Sequence, residues 1–160
     1  MSSTTTREAS TSDIILGLNR CIETCQEGER GWAGAANDAR DPVLRALFQR
    51  TSDERAEWVV ALQAAIIALG GLPEPDGAPP GVLNRSWTGL RRTLEGRSDR
   101  VVIEECQRGE HKALAVYQSA VHRMDRYGAS PDVRAMLARH HATITASLEE
   151  LKRRARTAQS

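Results

Sequence analysis

Aromatic side chains are scarce, at 4% of the 160 residues with a single phenylalanine. Leu, Ala, Val and Ile must then fill most of a core, which favours helix packing over a β-sandwich. Cysteine is scarce too. Cys21, Cys25 and Cys106 are odd in number and no apolar leader precedes them, which predicts reduced thiols in a cytoplasmic protein rather than a disulfide scaffold. No apolar run is long enough to cross a membrane. Charge of one sign is also missing: the net charge is +1, so no global field draws the chain to nucleic acid or an anionic membrane. The one basic run, Lys152-Arg153-Arg154-Ala155-Arg156, is read as a cationic last turn complementing a helix dipole. There is no Cys-x-x-Cys, no phosphate-binding glycine loop and no nucleophile elbow. No catalytic residue and no organic cofactor are assigned, and neither a nucleic-acid nor a membrane partner is expected.

What is present is helical. The chain is 40% hydrophobic and 27% charged, a balance that suits one globular domain able to bury a core. Residues 1–11 are rich in Ser and Thr and are read as a disordered tail. From Ser12, apolar residues Ile15, Leu18, Ile22, Cys25, Trp32 and Ala36 recur with helical spacing, which predicts a helix over about 12–38. Asp41-Pro42 opens a second helix over about 42–69, with an inward stripe of Leu44, Leu47, Thr51, Trp58, Leu62, Ala65 and Leu69, ended by Gly70-Gly71. Ser98-Asp99 opens a third to about 127, with Val102, Cys106, Ala113, Tyr117, Ala120 and Met124 inward and Gly128 after it. Ser130-Pro131 opens a fourth over about 131–156, lined by Val133, Met136, Leu137, His140, Ile144, Leu148 and Leu151.

Connection lengths set the topology. Helices one and two, and three and four, are joined by turns short enough to force antiparallel pairs. Between the pairs lies a Pro/Gly-rich crossover, 70–97, in which residues 85–95 read as a short extra helix around Trp87. A helix of 27 residues is about 40 Å long, and this crossover can span it. The predicted fold class is therefore all-α: a single antiparallel four-helix bundle over 12–157 with one long crossover, the ferritin-like arrangement. The halves also repeat. Residues 22–29 (IETCQEGE) and 103–110 (IEECQRGE) are identical at six of eight positions, and 44–50 resemble 133–139. Gly28 and Gly109 occupy the same interior helix position, where glycine costs about 0.5–1 kcal/mol relative to alanine. A close helix approach or a distortion beside a site would account for both.

Carboxylate bundles bind two irons through a Glu on each of two helices and Glu-x-x-His on the others, hard oxygen and borderline nitrogen donors that suit iron or manganese. Glu29 and Glu110 are repeat-related and lie on inward stripes. Glu54 and Glu57 stand where the second helix would carry Glu-x-x-His, with Glu replacing His. In helix four the equivalents are Thr143 and Ala146, so that half-site lacks its ligands. His140 is inward and is either a nitrogen ligand or a hydrogen-bonded core residue; His111 and His122 read as surface residues. The candidate metal set is Glu29, Glu54, Glu57, Glu110 and His140, for Fe or Mn. The competing reading pairs the inward carboxylates with Arg50, Arg55 or Arg139. Cys25 and Cys106 read as small buried hydrophobes, and the tryptophans as packing anchors.

The segments LNRCIETC (18–25), EGE (27–29), Asp41-Pro42 with LFQR (47–50), LGG (69–71) and EECQRGE (104–110) resemble an uncharacterised bacterial family of ferritin-like four-helix bundles. The resemblance runs from about Asp13 to Leu151 and includes the segment around Trp87. It implies the ferritin-like fold in a bacterial cytoplasmic protein and no established activity. Through the wider likeness to ferritins and rubrerythrins it implies a metal- or stress-related role. Glu29, Glu54 and Glu110 match the inward carboxylate positions; Thr143 departs, since relatives carry Glu there. The function expected is metal binding, with oxidase chemistry only if a metal centre forms. The alternative is a metal-free structural or interaction protein of the same fold, partnered by another protein or by itself.

Overall fold

The computed structural model describes residues 2–73 and 98–158. They form α1 (Ser2–Asp38), α2 (Pro42–Ala68), α3 (Asp99–Tyr127) and α4 (Pro131–Thr157), with no strand among the described residues. The expected short helix at 85–95, and Trp87 with it, lie outside the described residues.

The first helix begins ten residues before its predicted start, so the segment read as a disordered tail is helical from Ser2. Its first turns bury nothing in the core: residues 3–9 are exposed. They extend the hydrogen-bonded ladder beyond the first core residue, Ile14, and helix propagation needs only one further bond for each added residue. Ser3, Thr6, Arg7 and Ser10 line a surface groove with Tyr127 at the end of α3.

The other ends follow their caps. Asp41 Oδ1 accepts from Val43 N–H at 2.8 Å ahead of Pro42, and Ser130 Oγ accepts from Val133 N–H at 3.3 Å ahead of Pro131. Gly128 takes the left-handed conformation that ends α3, with φ of 68°. Asp99 lies in the first turn of α3, whose N-cap Ser98 makes no side-chain cap bond. Its carboxylate accepts from the backbone N–H groups of Arg40 at 2.7 Å and Asp41 at 3.1 Å. That ties the start of α3 to the turn between α1 and α2. Helix α2 starts at this same end and finishes about 40 Å away, so the crossover joins opposite ends of the bundle. This is the topology expected from its length. The basic end of α4 is paired in part along its own helix: Lys152 with Glu149, and Arg153 and Arg154 with Glu150.

The inward faces of α3 and α4 match expectation, except that Met136 is half-buried. Helix α2 is rotated from its predicted phase. It buries Leu44, Phe48, Ser52, Arg55, Val59, Leu62 and Ile66, while Leu47, Thr51, Trp58, Ala65 and Leu69 are half-buried. The core falls into two apolar blocks. One holds Leu18, Ile22, Cys25, Val59, Leu62, Tyr117, Leu137 and Ile144 among others. The second holds Trp32, Phe48, Val102, Ile103, Cys106 and Leu151. Between them, on α1, α2 and α3, runs a buried polar layer of Gln26, Ser52, Arg55 and Glu110.

Candidate functional site

Arg55 is the centre of that layer and is 2% exposed. It lies on the inward stripe of α2 between Ser52 and Val59. Its Nη2 donates to both carboxylate oxygens of Glu110 on α3, at 2.9 and 3.1 Å, and Glu110 is itself 2% exposed. Its Nη1 donates to Glu54 Oε1 at 2.8 Å; Glu54 keeps its side chain 41% in solvent. The guanidinium carbon stands 4.1 Å from the centroid of the Trp58 ring, a cation–π distance. A buried guanidinium is tolerated when its charge is paired, and here both terminal nitrogens donate to carboxylates. Ser52 Oγ donates to the backbone carbonyl of Glu29 at 2.7 Å, pinning α2 to α1 beside the layer.

Trp58 connects the layer to a second group. His140 stacks on it with centroids 4.0 Å apart and planes 7° from parallel. His140 Nδ1 is 3.0 Å from the Tyr117 hydroxyl, and Cys25 Sγ is 3.2 Å from that same hydroxyl. A hydroxyl carries one proton and two lone pairs, so it can donate to one of these partners and accept from the other. Burial, and then the nearby positive charges of Arg55 and Arg139, lower the His140 pKa to about 4. The imidazole is therefore neutral at pH 7. Burial pushes the Cys25 thiol up to about 11 and raises Cys21, Cys106 and Tyr117 strongly. None of the three cysteines is bridged. Cys25 and Cys106, equivalent in the repeat, belong to different apolar blocks.

Of the five candidate ligands, Glu54 and Glu110 are brought together, but on a guanidinium. Glu29 is half-buried, Glu57 is exposed, and His140 is held by Tyr117 and Trp58. A metal needs its donor atoms to converge at roughly 2.0–2.3 Å. Among the described residues no group of three or more His, Cys, Asp or Glu does so. Both Glu110 oxygens are already taken by Arg55. As placed, this donor set does not fit an iron or manganese ion. Of the three arginines named as alternative partners, Arg55 is the one that pairs with Glu110. Tyr117 and Trp58, read as packing residues, are also the link between Arg55 and His140. His111 and His122 are exposed, as expected.

The repeat explains the asymmetry of the site. The alignment that matches Leu44 with Val133 matches Arg55 with Ile144, which is buried in an apolar block. The second half therefore lacks the cation, and Glu29 is less buried than its counterpart Glu110. The two repeat glycines differ as well. A Cβ on Gly28 would meet the Arg55 stem at 3.4 Å, an ordinary contact, whereas one on Gly109 would meet nothing within 4 Å. Neither forces a close helix approach.

The chain matches known folds over most of its length. A ferritin-like diiron-carboxylate protein from Bacillus anthracis str. Ames aligns with a TM-score of 0.67 and 16% identity, covering 90% of this chain and 96% of that one. Dps from Staphylococcus aureus aligns with a TM-score of 0.71 and 17% identity, covering 90% and 95%. Dps from Vibrio cholerae O1, described as a member of the ferritin-like diiron-carboxylate superfamily, aligns at 0.71 and 12%, covering 90% and 89%. The fold is thus ferritin-like. No curated protein matches the sequence. A family model does, over residues 13–123, and the chain belongs to that family, a domain of unknown function designated DUF2383.

Proposed function

We propose that this protein is a metal-independent member of the ferritin-like architecture, a structural or interaction protein rather than an oxidase. One observation carries the reading: the buried carboxylate at the centre of the bundle, Glu110, has both oxygens bonded to Arg55. The position that would make a carboxylate bundle reactive is closed by a residue that neither binds oxygen nor changes oxidation state. The high thiol pKa values and the neutral, stacked His140 supply no nucleophile or general acid near pH 7 either. A cytoplasmic location is part of this reading, supported by three unbridged buried cysteines. Among the described residues no helix is long and apolar enough to cross a membrane. Homo-oligomers or a protein partner are the expected associations.

A second reading is favoured by a specific feature. Glu54 and Glu110 do face one shared cation position, and two of the fold neighbours, those from Bacillus anthracis and Vibrio cholerae, are described as ferritin-like diiron-carboxylate proteins. Under it the chain would bind iron or manganese through Glu54 and Glu110, with Glu29, Glu57 and His140 completing the site after rearrangement, in an iron- or stress-related role. Elemental analysis after anaerobic incubation with Fe(II) or Mn(II) separates the two. The metal-independent reading expects no stoichiometric metal in the wild type. Stoichiometric metal that is lost in Glu110→Ala would establish the second.

A further inference from the structure

We infer that the outer face of α2 is a self-association surface, on which a second copy of this chain packs antiparallel about a two-fold axis at Ala64. This rests on the reading of the chain as an interaction protein and goes further by naming the surface and its occupant.

The buried stripe of α2 has an apolar counterpart on the opposite side of the helix. Of the five large apolar side chains exposed among the described residues, Val43, Val60, Ile67 and Leu72 lie on α2 or just past its end. Val60 is 66% exposed and Ile67 61%, and Ala61, Ala64 and Ala68 beside them are exposed too. Spacings of three, four and seven put these five residues on one helical face. No charge interrupts it, because the chain carries none from Trp58 to Pro73. A helix face left in water ordinarily carries charge, and a contiguous apolar one marks a contact surface. The pattern suits a second copy. In an antiparallel pair about Ala64, Val60 of one copy meets Ala68 of the other and Ile67 meets Ala61, so each large side chain faces a small one. The nearest acid, Glu57, then faces Gly71 of the other copy. By the helical rise the two Glu57 side chains stand about 20 Å apart, beyond the screening length of about 8–10 Å, so no like charges meet there. The area is sufficient as well. Two adjacent helices about 10 Å wide and 40 Å long offer a face of roughly 800 Å², the share that one partner gives to a stable interface. The adjacent helix is α1: a Cβ on Gly71 would lie 2.8 Å from Ile15, and the next residue, Leu16, is 44% exposed.

Sedimentation equilibrium of the full chain, with circular dichroism and oxidative cross-linking beside it, tests this. The wild type should sediment as a dimer, at twice 17.6 kDa. Ile67→Glu places a charge at the contact in each copy and should weaken association at least roughly a hundredfold. Its helical signal should not change, because Ile67 lies outside the core of the single chain. Ala64→Cys should form a disulfide between copies, since a residue on the axis brings its own mate within the roughly 7 Å that a disulfide allows; Glu57→Cys should not. A monomeric wild type, a dimer indifferent to Ile67→Glu, or cross-linking at Glu57→Cys but not at Ala64→Cys overturns this inference. So does loss of helical signal in Ile67→Glu, which would mean that the face is already covered within one chain. Each of these outcomes leaves the metal-independent reading standing, since that reading falls only to stoichiometric metal in the wild type.

Discussion

Truncating Glu110 should be among the most damaging single changes available in this bundle. Glu110→Ala leaves the Arg55 guanidinium, 2% exposed, without its two-oxygen partner. Stranding one member of a buried ion pair costs about 3–5 kcal/mol. Here the loss should fall near 3 kcal/mol by that range, since Glu54 remains on Nη1 at 2.8 Å and the Trp58 face remains at 4.1 Å. That is a large share of a domain's total stability of about 5–15 kcal/mol. Glu54→Ala breaks a pair whose acidic member is 41% exposed, where water already screens the charge, so about 1 kcal/mol or less is expected. Replacing both buried partners by apolar residues, Arg55→Met/Glu110→Leu, should recover most of the loss. Urea unfolding followed by far-ultraviolet circular dichroism measures all three, with midpoints compared at equal slope. If Glu110→Ala proves no worse than Glu54→Ala, the Arg55–Glu110 pair is solvated and the polar layer is open to water.

Other expectations follow from single groups. His140 titrates at about 4 in the folded protein against an ordinary value of 6.5, so the unfolded chain takes up its proton first. Stability from this group is fully present above about pH 6.5, declines as pH falls toward 4, and changes no further below it; a pH–midpoint curve for His140→Gln parallel to the wild type would contradict this. Gly109→Ala should raise stability by about 0.5–1 kcal/mol, because a Cβ there meets nothing within 4 Å, and a lower urea midpoint would show an unseen constraint. The three buried thiols should resist iodoacetamide at pH 8 in the native protein and all react in urea, as mass spectrometry of the labelled chain can report.

Much of the fold was readable because local chemistry and global topology agree. Asp41-Pro42, Ser130-Pro131 and Gly128 mark ends by mechanisms that act within a turn, and the structure places those ends within a residue of expectation. The rotation of α2 was not readable for an equally physical reason. From Trp58 to Pro73 the chain has no charged residue, so apolar side chains point in every direction and periodicity has no polar face to register against. The real stripe also contains Ser52 and Arg55, which patterning alone assigns to the surface. That one phase error decides the site. Glu110 was placed inward by its own stripe, whereas the choice among Arg50, Arg55 and Arg139 depends on how α2 turns about its axis. The helical start at Ser2 was missed because those turns bury nothing that a hydrophobic pattern could report.

The repeat gives the reason that one arginine suffices. Glu29 and Glu110 occupy equivalent places in nearly identical segments, so sequence symmetry alone would assign them one environment. The structure does not, because the position facing each differs. Arg55 meets Glu110, and its equivalent, Ile144, belongs to an apolar block. A carboxylate with no cation cannot be drawn fully inside without losing its water, and Glu29 accordingly stays half-buried while its backbone carbonyl, not its side chain, receives Ser52. A second buried arginine would have doubled the desolvation cost of the layer, and Ile144 instead continues the hydrophobic block beneath Tyr117. The halves have therefore divided their tasks: one supplies the buried cation and the other the buried anion. This buried ion pair joins them across the pseudo-two-fold, the position at which carboxylate bundles otherwise place a metal.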